Sequence, residues 1–100
     1  MADLCLTLVA PAAVEERLTD ALLADPQLDA FTSNPASVVG GDHSRGSALE
    51  KVTGRSRSVM LTVLLDGDRL PSLMQQLEQE FARTGMRWWV SPVMAKGVFE

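Results

Sequence analysis

In 100 residues the chain has one cysteine, one histidine, and nine lysines and arginines against thirteen acids. The single Cys5 excludes an internal disulfide framework and fits a reducing compartment. One histidine and one cysteine cannot by themselves supply the four ligands of a structural zinc site. Because they lie on separate segments, they also give no nucleophile–base pair with an orienting third group. The expectation is a non-enzymatic protein without a cofactor. A formal charge of −4 leaves no excess of cations to displace the counterions of a nucleic acid. No segment approaches the roughly 20 apolar residues of a membrane span. The start, "MADLCLTLVAPAA", is apolar and ends in small residues, but Asp3 stands where a signal peptide carries positive charge. A strand is expected there instead, in a cytoplasmic protein.

What is present is an ordinary single-domain composition, 46% apolar and 22% charged. Residues 3–9, "DLCLTLV", alternate with the period of two that marks a strand. Pro11 suits a first helical turn, Glu15 and Glu16 sit where the helix dipole favours acids, and Val14, Leu18, Ala21 and Leu22 recur at helical spacing. Asp25-Pro26 stops that helix. Residues 29–39 form a weaker strand, expected to be interrupted or bulged near Asn34-Pro35. "SVMLTVLL" (58–65) is the strongest strand, apolar on both faces. Leu70, Leu73, Met74, Leu77 and Phe81 stripe a second helix that Thr84-Gly85 terminates. "MRWWV" (86–90) makes a fourth strand ended by Pro92, and "KGVFE" is a candidate edge strand.

The order β-α-β-β-α-β predicts an α+β ferredoxin-like sandwich over residues 1–100, an antiparallel sheet with two helices on one face. Two helices cover one face only. If Leu4, Leu6, Leu8, Val59, Leu61, Val63, Trp88 and Val90 pack on the helices, then Cys5, Val9, Met60, Leu64 and Trp89 point away. An apolar patch of that size marks an interface, so an oligomer is expected, with Met60, Leu64 and Trp89 at its contact. The adjacent tryptophans face opposite ways, one expected in the core and the other at the interface.

Between the second and third strands lies a long polar connection, about 40–57, holding the only histidine and four of the seven glycines. Arg45, Lys51, Arg55 and Arg57 there oppose only Asp42 and Glu50, a local basic patch on an acidic chain. It attracts a small anion or an acidic partner, or simply keeps the connection solvated. Arg55 and Arg57 flank Ser56 beside Gly54, and alternation puts both on one side, suited to clamping phosphate or carboxylate. Asp42 and His43 are the candidate metal ligands, acting together or repeated across the copies of an oligomer. Cys5 and the methionines are soft enough for copper, but no CxxC follows the first strand, and a packing role suits Cys5 better.

"CLTLVAP", "FTS", "GG" and "VTGRSR", in that order, with the long connection in this place, resemble the PII-like (GlnB-like) signalling proteins. More narrowly they resemble an uncharacterised proteobacterial branch often encoded beside heavy-metal efflux systems. The resemblance implies a cytoplasmic homotrimer whose 40–57 connection acts as a T-loop, sensing a ligand and docking on a partner such as a membrane transporter or efflux component. It implies ligand-binding roles for Gly40, Gly41, Arg55, Arg57, Arg83, Thr84, Gly85 and Arg87. PII proteins hold ATP with a glycine-and-lysine loop after the second helix; here "ARTGMRWWV" keeps only Thr84-Gly85 before the strand begins. Without those backbone donors and lysines, nucleotide is expected to bind weakly or not at all. Two relatives of the fold supply alternatives, a CutA-like metal-tolerance protein and an ACT-like small-molecule module. Acylphosphatase and RNA-recognition readings fail, since there is no phosphate cradle after Val9 and no aromatic residue on the central strands.

Overall fold

The computed structural model of the chain describes residues 2–40 and 55–100. Strand β1 (Asp3–Pro11) leads through a 3₁₀ turn (Ala12–Val14) into helix α1 (Glu15–Leu23). Strands β2 (Thr32–Val39) and β3 (Arg55–Asp66) follow, then a 3₁₀ turn (Gly67–Arg69), helix α2 (Leu70–Phe81) and strand β4 (Arg87–Pro92). The four strands form one antiparallel sheet in the order β2-β3-β1-β4, the ferredoxin-like arrangement.

Local chemistry sets the boundaries. The Asp66 carboxylate accepts a hydrogen bond from the Asp68 amide at 2.8 Å and caps the turn into α2. At the other end of α2 the Thr84 hydroxyl donates to the Phe81 carbonyl at 2.7 Å and accepts from the Met86 amide at 3.3 Å. Arg83 and Gly85 both take positive φ there, +66° and +82°, so the chain reverses directly into β4. After α1, Asp25 accepts from the Gln27 amide at 2.9 Å and from Arg69 Nη2 at 2.8 Å, tying the end of one helix to the start of the other. Arg17 makes a second tie, donating to the Glu80 carbonyl at 3.1 Å with its guanidinium 5.1 Å from the Phe81 ring centre.

The register decides which side chains meet the helices, because directly paired residues share a face. One row runs Ser33–Leu61–Leu8–Trp88 and the next Val63–Leu6–Val90. Leu6, Leu8, Leu61 and Val63 pack with Leu18 and Leu22 of α1 and Leu73, Leu77 and Phe81 of α2. Each leucine so buried contributes roughly 1.5–3 kcal/mol. On the opposite face the rows are Thr32–Thr62–Thr7–Trp89, Asn34–Met60–Val9–Arg87 and Leu64–Cys5–Ser91. Among the described residues no helix covers them.

Three expectations need correction. β2 is not interrupted at Asn34-Pro35: its pairing runs unbroken, with Pro35 opposite Val59. β2 is an edge strand, where proline is tolerated. The segment 93–100 adds no strand; after the Val93 amide donates to Asp3 O at 3.2 Å and Lys96 pairs with Asp3 at 3.5 Å, Val98 and Phe99 project into solvent. Neither tryptophan is buried. Trp88 lies on the helix side but on an edge strand, and it stays 54% exposed against 50% for Trp89. Among the described residues no helix is long and apolar enough to cross a membrane.

Candidate functional site at the base of the connection

β2 places Ser33, Pro35 and Ser37 on the helix side of the sheet, a row too small to fill the space beside α1. The gap is a half-open cleft of about 450 Å³ at the sheet end where the 40–57 connection departs and returns. Its walls come from three elements: the turn after β1 with the first residue of α1, the β2 row, and the beginning of β3. Arg57, opposite Ser37, stands at the cleft, as do Glu15 and Ser58. Arg57 and Glu15 are exposed, whereas Ser58 is buried with its hydroxyl donating to the Ser56 carbonyl at 3.5 Å. The floor is small and apolar: Ala12, Pro35 and Val59.

Gly40 closes β2 with φ of +82°, and among the described residues nothing lies within 4 Å of where a Cβ would stand. Glycine is therefore required there by the backbone and not by crowding. Arg55 opens β3 opposite Val39. Gly41, Asp42 and His43 lie outside the described residues. Among the described residues no three histidine, cysteine, aspartate or glutamate side chains cluster as a metal site.

Arg83, Thr84, Gly85 and Arg87 lie at the same end of the sheet, on the β4 side. The Thr84 hydroxyl is engaged at the end of α2. Register puts Arg87 in the row of Val9 and Met60, on the open face, while Arg57 shares the helix side with Val59. Within one chain, then, these two arginines serve opposite faces. Met60, Leu64 and Trp89 all fall on the open face, Trp89 half-exposed and Leu64 37% exposed. Of the residues the sequence singles out, Arg57 lines the cleft; the other lining residues carry no motif, and their one local sign is the run of small residues "SNPAS" on β2.

Solved structures with this fold include a family protein from Shewanella baltica OS155, at TM-score 0.81 and 16% identity over 100% of this chain and 99% of that one. A nitrogen regulatory PII-like protein from Thiomonas intermedia K12, solved with ADP, AMP and bicarbonate, matches at TM-score 0.69 and 14% identity over 98% of each chain. A Thermus thermophilus protein described as PII-like in signalling matches at TM-score 0.64 and 22% identity, over 93% of this chain and 91% of that one. No curated protein sequence matches the chain. The fold is PII-like. The model of the DUF3240 family, described as proteins of unknown function, matches residues 1–100, and the chain belongs to that family.

Proposed function

We propose that the chain is a non-enzymatic, PII-like regulator of the cytoplasm. In this reading it assembles as a homotrimer through the open face of its sheet. It senses a small ligand at the base of the 40–57 connection and passes that state to a partner protein, a membrane transporter or efflux component. The observation that carries the reading is the cleft at the base of that connection, with Arg57 on its wall. A ligand there touches both strands that bracket the connection, so its binding energy can bias how the connection is held. The ADP, AMP and bicarbonate in the Thiomonas structure support a small anionic ligand for this fold. Met60, Leu64 and Trp89, large side chains without a helix over them, support assembly.

Thermal-shift screening of the intact protein against nucleotides, divalent metals, Cu(I) and amino acids tests the reading. A ligand that binds only the native state raises the melting temperature. The expected result is a shift from a small organic ligand that is lost in Arg57→Gln. A shift from metals alone would favour the CutA-like alternative, with Asp42 and His43 as ligands. The ACT-like alternative draws support from one feature of the cleft, the presence of both an acid and a base on its walls.

A further inference from the structure

Among the described residues the three most exposed large apolar side chains all lie in one segment, 93–100. Met94 and Phe99 are fully in solvent and Val98 is 82% exposed. The root of the segment is nonetheless held. The Val93 amide donates to the Asp3 carbonyl at 3.2 Å, and Lys96 pairs with the Asp3 carboxylate at 3.5 Å. Four residues follow that anchor, and extended they span at most about 13–14 Å. They carry Val98 and Phe99 and end in an acid, Glu100.

The open sheet face is the second uncovered apolar surface, and its dimensions match. From the Leu64 row to the Met60 row is four residues along β3, about 13 Å. The Met60 row ends on the edge strand β4 in Arg87, which is exposed. Neither Arg87 nor Glu100 has an ion pair among the described residues. One surface is thus an apolar arm ending in an acid, the other an apolar face with a base at its far corner. An unrelated partner would have to complement the two separately, whereas a second copy of the chain satisfies both at once.

We propose that segment 93–100 is an assembly arm that lies across the open sheet face of a neighbouring copy. Val98 and Phe99 cover Met60, Leu64 and Trp89 there, and Glu100 pairs with Arg87. Each copy gives one arm and receives one, a heterologous contact that closes into a ring, whereas pairing of two identical faces would give a dimer. The proposal rests on the open face being the assembly surface.

Sedimentation of the intact protein across a concentration series tests it. Phe99→Ser is expected to raise the dissociation constant of the assembly at least about tenfold, with an unchanged circular dichroism spectrum. Glu100→Arg and Arg87→Glu are each expected to weaken assembly by about threefold or more. The double variant restores most of that loss, because the pair is only reversed. If every arm variant assembles as tightly as the unaltered protein while Trp89→Lys comes apart, the arm proposal is overturned and assembly through the open face survives. If the arm variants lower the melting temperature of the dissociated chain, the arm packs on its own chain and the proposal is again overturned. A double variant weaker than either single one would mean that Glu100 and Arg87 do not meet, and the placement of the arm would be wrong. If the unaltered protein is a single chain at every concentration, the arm and the assembly reading fall together.

Discussion

The two faces of the sheet are built from the same strands and meet different fates. Towards the helices, Leu6, Leu8 and Leu61 are wholly buried, and Val63 nearly so. Towards the other side stand Leu64, next to Val63 in sequence, at 37% exposure and Trp89 of β4 at 50%. One face is completed within the chain by α1 and α2. The other presents large apolar side chains around a Thr62–Thr7 centre and finds no cover within the described residues. Alternation along a strand therefore assigns folding to one set of residues and leaves the other set to whatever docks on it.

That contrast can be broken one face at a time. Leu61→Ala, in the covered face, is expected to cost about 2–5 kcal/mol in urea unfolding, because it leaves a cavity among closely packed leucines. Arg69→Met cuts the tie holding the helix layer together. It leaves the Asp25 carboxylate, only 7% exposed, without its cation and with the Gln27 amide as its remaining donor among the described residues, and is expected to cost about 1–3 kcal/mol. Trp89→Lys, in the open face, is expected to change the unfolding free energy of the separated chain by less than about 1 kcal/mol. It should nonetheless lower the assembled mass measured by light scattering, a split between stability and assembly that Leu61→Ala does not show. Phe99→Ser, at a side chain fully in solvent, is expected to shift the stability of the single chain by no more than about 0.5 kcal/mol.

Most of the architecture was legible because it follows from periodicity. The alternation of "DLCLTLV" and the stripe Leu70-Leu73-Leu77-Phe81 each have one sensible partner, and four strands with two helices in this order leave few arrangements. The misreadings concern lateral extent, which period does not encode. Whether Trp88 is buried depends on how far the helix layer reaches over β4. Whether Pro35 breaks β2 depends on β2 being an edge. The tail residues Val98 and Phe99 look like a strand locally, but Asp3 holds the start of the tail through Val93 and Lys96. The cleft was the least legible part. It exists because Ser33, Pro35 and Ser37 are too small to fill a space, and missing bulk spread over three segments leaves no motif. Arg57 stands out because a charge is visible in a sequence, whereas Glu15 reads there only as a helix-start acid.

The central claim is that the open sheet face is sealed by further copies of this chain. Light scattering coupled to size exclusion on the intact protein at micromolar concentration tests it most directly. The account predicts a mass three times the chain's 10.8 kDa, falling towards a single chain in Trp89→Lys. A stable, cooperatively folded particle of 10.8 kDa in the unaltered protein would contradict it.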